Sequence, residues 1–352
     1  MKPKNIIIGN SKIGINLKPF LVAEISANHG GTLERALETI LQAKKSGADA
    51  IKIQSYTPDT MTINSTNKEF RISKGLWKGK TLYDLYKIAH TPFEWHKEIF
   101  AYARKIGITC FSTPFDISAV DLLDSLNTPA YKIASFEITD LNLIKYVAKK
   151  KKPIIISTGM ANLQEIKDAV EVCKKNGNKK IIILHCVSSY PALIEQSNIS
   201  TIVDLFKKFN LNIGLSDHTL SNSVSIASIA LGACMIEKHF TIDKSTISPD
   251  NKFSLLPNEF KKLSLSINEA WKSIGRVNYK LLPSEKQNII FRRSIYFVKD
   301  IRKNEIIKKE HIRIIRPGFG VAPKNYDYII GKKVKKNISR GTAFNFKYIY
   351  EK

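Results

Sequence analysis

Eight short apolar runs, alternating with amphipathic helical segments, constrain the fold of this 352-residue chain more than any other feature. Each run is almost continuously apolar and turns polar at its end, as parallel strands do when helices cover their sheet. Eight β/α units predict a closed (β/α)8 TIM barrel of the α/β class. A doubly wound open sheet is the alternative, and the absence of a G-x-G-x-x-G motif disfavours it. The predicted strands are residues 20–26, 50–56, 109–115, 130–137, 153–159, 181–187, 212–218 and 234–240.

The connections carry ordinary helix signals, with one exception. The helix after the first strand is expected to stop at Gly47, and the next long helix to run from Pro92 to Gly107. Residues 57–90, in contrast, form an insertion between the second strand and its helix. Long connections at this face of a barrel usually cover or shape an active site.

The pattern changes after Gly275. A polar linker, residues 276–290, precedes short β-like runs with glycine and proline turns in residues 291–352. We therefore expect a barrel domain over residues 1–275 and a small separate C-terminal domain.

The chain is strongly basic, with a formal charge of +25. Such a charge suits an anionic partner, but a lysine-rich composition spread over solvated faces explains it equally. No nucleic-acid-binding module is recognisable and no run is long enough to span a membrane, so neither partner is expected. The four cysteines are far apart and without C-x-x-C spacing, as expected for buried free thiols in a reducing compartment. A cytoplasmic location is predicted.

Polar side chains stand at the carboxyl ends of the predicted strands, where TIM-barrel enzymes place their catalytic residues. In chain order they are Glu24, Asn28, His29, Lys52, Gln54, Thr113, Lys132, Ser135, Glu137, Ser157, Ser188, Tyr190, Ser216, His218, Glu237 and His239, with Asp250 in the loop after the last strand.

Two lysines in this set, Lys52 and Lys132, lie inside apolar strands, where an unpaired charge is costly. They could form buried ion pairs with Glu24 or Glu137. They could instead form a cradle for an anionic substrate, completed by serine and threonine hydroxyls. A third interpretation makes one lysine a Schiff-base nucleophile.

Two histidines, His218 and His239, end adjacent strands and could share a divalent metal ion. The alternative is one general base and one core histidine. His29 could be a third ligand or a supporting group behind the first two.

These motifs together resemble the sialic acid synthase family. The resemblance rests on AEISANHGG, GADAIKIQSYTPDTMT, FSTPFD, AYKIASFEITD, ISTGMA, GLSDHT, IEKHFTID and SPDNKFS, and covers essentially the whole chain. RRSIYFVKDI and IRPGFG resemble the family's C-terminal antifreeze-like (SAF) domain. Within the family, LWKGKTLYDLY, TPFEWHKEIF and KIASFEITDL resemble the pseudaminic acid synthase branch more than the N-acetylneuraminate and legionaminate branches.

The resemblance implies a reaction: phosphoenolpyruvate condenses with an N-acylated amino sugar and water, with a divalent metal such as Mn²⁺, Mg²⁺ or Co²⁺. It implies that phosphoenolpyruvate is held by Lys52, Thr113, Lys132, Ser135, Ser157, Ser188 and Ser216. It implies metal binding by His218 and His239, and sugar contacts from Gln54, Glu137, Tyr190 and Asp250. Glu24 would act near the water, and a domain-swapped homodimer would bring Arg316 into the neighbouring subunit's site.

Four positions depart from the usual family pattern. His29–Gly30–Gly31 stands where HNG is usual, Ser188 where many members have asparagine, and Ser248–Pro249–Asp250 where Gly-Pro-Asp is usual. The loop after His218 reads LSNS, where a glycine is common. The open alternatives are an N-acetylneuraminate or legionaminate synthase, a Schiff-base aldolase-type lyase using Lys132, and a non-catalytic carbohydrate-binding protein.

Overall fold

A computed structural model describes residues 3–246 and 248–350 of the chain. It divides into two compact units that meet between Gly275 and Arg276. Within the described residues, no helix is both long and apolar enough to cross a lipid bilayer.

The first unit contains a closed parallel barrel, as the sequence predicts. Its strands pair in chain order, and the last pairs with the first. They are β3 (Phe20–Glu24), β4 (Ala50–Ser55), β5 (Thr109–Pro114), β6 (Tyr131–Ile133), β7 (Ile154–Ser157), β8 (Ile181–Cys186), β9 (Asn212–Asp217) and β10 (Met235–His239).

One predicted strand is too long. Residues 130–137 were expected to be extended, but β6 ends at Ile133 and Ser135–Glu137 form a 3-10 helix. The apolar pattern continues through Ile138, whose side chain is buried, so composition alone does not show where the backbone turns.

The barrel opens with a hairpin that the sequence analysis missed. It consists of β1 (Ile6–Ile8) and β2 (Ser11–Ile13), paired antiparallel around Gly9. Its apolar side chains join those of the barrel interior in one buried cluster, which includes Ile6, Ile8, Ile13, Phe20, Phe111, Ile155, Ile182 and Met235. Three-residue strands are too short for a periodicity signal, which explains the omission.

Helices connect the strands: α1 (Leu33–Lys45), α4 (Phe93–Ile106), α5 (Ile117–Ser125), α6 (Leu141–Lys149), α7 (Leu163–Lys175), α8 (Thr201–Phe209), α9 (Ser223–Ala230) and α10 (Pro257–Ile274). Helix α4 starts after Pro92 and stops at Gly107, as expected, because Gly107 takes the left-handed conformation (φ 69°) that ends a helix.

The insertion between β4 and α4 is partly helical. It contains α2 (Pro58–Met61), a 3-10 turn at Lys68–Phe70, and α3 (Leu82–Ala89). Between these helices, Arg71 and Thr81 form an isolated antiparallel bridge.

The second unit has its own small core. Its strands β11 (Ser294–Phe297) and β12 (Ile312–Ile315) pair antiparallel, and α11 (Tyr326–Ile329) follows. Residues 283–291, in the segment interpreted as a linker, form a 3-10 helix. The buried core includes Ile295, Phe297, Ile301, Ile307, Ile312, Ile329, Val334, Ile338, Phe344 and Ile349.

Candidate active site

The ends of β3 and β4 place a carboxylate beside a buried lysine. Glu24 and Lys52 are register neighbours, and Glu24 Oε2 lies 2.7 Å from Lys52 Nζ. Lys52 Nζ also donates to Thr113 Oγ1 at 3.0 Å. Burial would lower the pKa of Lys52, but the carboxylates of Glu237 and Glu24 outweigh burial and raise it. Lys52 is therefore charged at neutral pH.

Glu237 links this pair to the second lysine, a role that the sequence analysis did not assign. Its Oε1 lies 3.5 Å from Lys52 Nζ and 3.9 Å from Lys132 Nζ, and it accepts a hydrogen bond from Ser216. Burial would raise the pKa of Glu237, but Lys132 and Lys52 outweigh it and lower the pKa. One signal was available: Glu237 and His239 are two residues apart on one strand, and so share its inward face.

Lys132 is buried with few partners. Its Nζ donates to Ile133 O at 3.3 Å, and the Glu237 contact is long. Burial lowers the pKa of Lys132. An incoming anion would favour the charged form of this lysine, and a lowered pKa also fits the Schiff-base alternative.

Several polar atoms around the lysines have spare hydrogen-bonding capacity. Among the described residues, Glu24 Oε1, Glu237 Oε2 and Ser157 Oγ are buried without a hydrogen-bond partner. Buried polar groups are ordinarily paired, so a cluster of unpaired ones indicates a ligand site.

A glycine makes room for two of the predicted hydroxyls. Gly159 N donates to Ser135 Oγ at 3.1 Å. A Cβ atom at Gly159 would lie 2.1 Å from Ser188 Oγ and 2.8 Å from Ser135 Oγ. Both serines thus sit against the backbone where a side chain would displace them.

The two predicted metal ligands lie side by side. The ring centroids of His218 and His239 are 5.4 Å apart. His218 Nδ1 lies 2.9 Å from Val187 O, a contact that keeps a proton on Nδ1 and leaves the lone pair on Nε2. Burial holds the pKa of His239 well below its usual value, and its Nδ1 has no hydrogen-bond partner. Both rings thus have a nitrogen suited to a cation.

Two aromatic rings and a thiol pack against this histidine pair. The Tyr190 ring packs against that of His218 at a tilt of 44°, with 4.4 Å between centroids, and Phe253 meets His239 edge-on at 4.8 Å. The Cys186 thiol lies 3.8 Å from His218 Nδ1. All four cysteines are free and buried, as expected. The positions of Phe253 and Cys186 at the site were not predicted.

Three carboxyl groups are biased toward the protonated form. Burial raises the pKa of Glu24 to about 7, with Glu237 as a further cause. Burial also raises the pKa of Glu137 to about 7 and raises that of Asp250. Groups that titrate near neutrality can exchange protons during a reaction.

A cavity of about 520 Å³ opens above these residues, large enough for a small-molecule substrate. Four of the predicted sugar-contacting residues line it, namely Gln54, Glu137, Tyr190 and Asp250, and so do Ser188 and His239. The insertion supplies much of the remaining wall.

His29 is committed to other contacts. Its Nδ1 accepts from Gly31 N, its Nε2 lies 3.4 Å from Ala89 O, and its ring meets Trp95 edge-on. These contacts tie the loop after β3 to the end of α3. Within the described residues, no cluster of three or more His, Cys, Asp or Glu side chains is placed to hold a metal ion, so any site here is built on the histidine pair.

Arg316 lies in the second unit, one residue after β12, and its side chain is exposed. Ser248 Oγ, at one of the departures from the family pattern, donates to Asn28 Oδ1 and so supports the loop that carries Asp250.

Comparisons with known proteins agree on one group of enzymes. The NeuB family profile matches residues 39–279, and the SAF domain profile matches residues 292–346. A pseudaminic acid synthase of Campylobacter jejuni is 46% identical over 96% of this chain and 97% of its own length. A pseudaminic acid synthase of Helicobacter pylori is 44% identical over 93% of this chain and 96% of its own.

A solved structure gives the same picture. The N-acetylneuraminic acid synthetase of Leptospira borgpetersenii, in complex with citrate, superposes with a TM-score of 0.73 at 33% identity. The match covers 82% of this chain and 96% of that one.

Proposed function

This chain belongs to the NeuB family, and from that premise we propose that it is a pseudaminic acid synthase. It would condense phosphoenolpyruvate with 2,4-diacetamido-2,4,6-trideoxy-altrose and water, giving pseudaminic acid and phosphate. The observation that carries the proposal is the buried cluster of Lys52, Lys132 and nearby hydroxyls with spare hydrogen-bonding capacity, beside a pair of histidines in one barrel mouth.

The lysines and hydroxyls form the anion cradle. Lys52 and Lys132 bind the phosphate and carboxylate, and the hydroxyls of Thr113, Ser135, Ser157, Ser188 and Ser216 complete the hydrogen bonds. Holding the enol phosphate in one orientation replaces a bimolecular encounter with a positioned one. Burial lowers the pKa of Lys132, and incoming negative charge acts in the opposite direction by favouring its protonated form.

A divalent ion such as Mn²⁺, Mg²⁺ or Co²⁺ fits the histidine pair. The unpartnered Nδ1 of buried His239 and the Nε2 lone pair of His218 are the donors that support this. When bound, such an ion polarises the open-chain aldehyde as a Lewis acid.

Residues of the chain stabilise the charges that develop in the reaction and accept the proton that it releases. Carbon 3 of phosphoenolpyruvate attacks the aldehyde carbon, the carbonyl π bond breaks, and the aldehyde oxygen takes up a proton to become a hydroxyl, while cationic character develops at carbon 2. Glu24, with a pKa near 7, accepts the proton of the water that adds to carbon 2. The resulting tetrahedral intermediate expels phosphate, which the two lysines stabilise as it leaves.

The sugar is held at the opposite side of the cavity. Gln54, Glu137, Tyr190 and Asp250 line that cavity and supply hydrogen bonds to its hydroxyl and amide groups.

Phosphate release in the presence of phosphoenolpyruvate and each candidate amino sugar tests this proposal. We expect turnover with the altrose-configured diacetamido sugar, its loss in EDTA, and its recovery with Mn²⁺. Preference for the sugars that lead to N-acetylneuraminate or legionaminate would contradict it. A borohydride-trapped adduct with activity retained in EDTA would favour the Schiff-base lyase. Absence of phosphate release with every sugar would favour a carbohydrate-binding protein.

A domain-swapped homodimer completes the proposal, with Arg316 gripping the sugar's acyl group in the neighbouring subunit's site. Exposed apolar side chains in the segment before β11 support a covering partner, since Val277 is 88% and Tyr279 97% exposed. Phosphoenolpyruvate is a cytoplasmic metabolite, so we place the reaction in the cytoplasm.

Complementation tests the swap. The variants Lys132→Ala and Arg316→Ala should each be inactive alone. Mixed and allowed to exchange subunits, they should recover about a quarter of wild-type activity, because half of the dimers gain one intact site. If Arg316 acts within its own chain, mixing will recover nothing.

A further inference from the structure

The insertion forms one wall of the cavity, and this wall is more apolar than the strand ends at the base. From residues 57–90, the cavity is lined mainly by apolar side chains, with Lys74 as the one charged residue and Tyr86 as a further polar one; the others are Met61, Ile72, Trp77, Leu82, Leu85 and Ala89. The strand ends contribute the polar set already described. One cavity therefore presents a polar surface and an apolar surface to the same ligand.

The insertion is held in place by contacts to the barrel loops. Trp77 Nε1 donates to Pro249 O at 3.2 Å, next to Asp250. The Trp77 ring lies 6.3 Å from that of Tyr190, which packs on His218. The far end of the insertion is tied through Ala89 to His29. The apolar wall is thus fixed relative to the histidine pair.

Part of this apolar surface remains accessible. Phe136, which faces the cavity from the 3-10 helix after β6, is 58% exposed, and Ile72 is half-buried. Leaving such side chains in contact with water costs free energy that an apolar ligand group recovers on binding.

We propose that this apolar wall is a subsite for the deoxy end of the amino sugar, taking its C6 methyl and the methyl of its 4-acetamido group. The inference rests on the proposed function and adds the element that selects the sugar. Sugars with hydroxyl groups at C4 and C6 would bury those groups against Met61, Ile72 and Phe136 without hydrogen-bond partners. The insertion thus favours 6-deoxy, 4-N-acylated substrates.

Two cavity variants and a matched control test the subsite. Ile72→Asn and Phe136→Ser place polar groups on the wall, and Phe136→Ser changes an exposed side chain, so folding is preserved. Ile63→Asn is the control, because Ile63 belongs to the same insertion and is 62% exposed. The probes are the diacetamido trideoxy sugar and its 6-hydroxylated counterpart, each with phosphoenolpyruvate.

We expect the cavity variants to raise the KM for the trideoxy sugar about tenfold and to lower its kcat/KM advantage over the 6-hydroxylated sugar about tenfold. The KM for phosphoenolpyruvate should stay within about twofold. An unchanged advantage, or an equal loss in Ile63→Asn, would overturn the subsite while leaving the synthase proposal intact. If the wild-type protein releases no phosphate with the trideoxy sugar, the proposed function fails, and the subsite fails with it.

Discussion

The barrel contains two buried lysine sites that differ in how completely their hydrogen bonds are used. Lys238 points out of the barrel from β10, and its Nζ contacts Asp217 Oδ2 at 2.7 Å, Thr219 O at 2.7 Å and Ser221 O at 3.0 Å. An ammonium group has three donors, and here all three are satisfied.

Lys132, at the barrel mouth, is different. Lys132 is as buried as Lys238, yet its two contacts are 3.3 and 3.9 Å long, and neighbouring carboxylate and hydroxyl atoms lack partners. The unused hydrogen-bonding capacity around Lys132 therefore sets it apart from Lys238 as a candidate substrate contact. Lys238, whose three donors are all paired, stabilises the fold. Lys132, whose surroundings have unused hydrogen-bonding capacity, is available to substrate.

Replacing Lys132 should give the largest effect on the reaction. Lys132→Met is expected to lower kcat/KM by about 10³-fold, because a charge that stabilises the developing phosphate anion is lost. Thermal unfolding should change little, since few native contacts depend on this ammonium group. A large loss of stability together with normal turnover would reverse the comparison.

Replacing Lys238 in the same way should reduce stability and leave substrate binding largely unchanged. Lys238→Met leaves the Asp217 carboxylate buried without its cation, and we expect a loss of about 3–5 kcal/mol in the free energy of unfolding. The folded fraction should keep its KM for phosphoenolpyruvate. Adding Asp217→Asn should restore part of the stability, as measured by urea denaturation; a double variant no more stable than Lys238→Met would show that the pair is not the cause.

A smaller effect is expected at the glycine behind the cradle. Gly159→Ala should raise the KM for phosphoenolpyruvate about tenfold, since the new methyl group displaces the hydroxyls of Ser188 and Ser135. Stability should change little because these are short, movable side chains. The double variant Gly159→Ala/Ser188→Gly should bind phosphoenolpyruvate about as well as Ser188→Gly alone; a further loss of affinity in the double variant would mean that Gly159 does not act through Ser188.

The smallest effect concerns the dependence of stability on pH. Glu24 has an ordinary pKa of 4.5 when unfolded and about 7 when folded, so the folded state binds more protons between these values. The stability contributed by protonated Glu24 is fully present below pH 4.5 and is lost as the pH rises through 7. Between pH 5 and pH 8, wild-type stability should therefore fall more than that of Glu24→Gln; parallel urea-denaturation curves would contradict this.

The fold was largely predictable because it depends on local patterns. The eight strands are buried on both sides and read as apolar runs, and helix α4 is bounded by Pro92 and Gly107. The small strands of the second unit and the hairpin at residues 6–13 are shorter than the window in which periodicity can be measured.

The site was only partly predictable, because the register of the barrel strands decides which side chains meet. Glu237 sits between Lys52 and Lys132 because β10 closes the barrel against β3 and β9, and no local pattern reports that closure. The apolar wall of the cavity likewise depends on how residues 57–90 fold back over the barrel mouth, which their composition does not show.

The closure of the barrel by β10 also matters while the polypeptide is being translated. Strand β10 pairs with β3 and supplies Glu237 and His239. A nascent chain still short of residue 239 therefore lacks both the strand that seals the barrel and two of the groups around the reacting atoms. Chains that end before residue 239 are therefore expected to be unable to carry out the reaction.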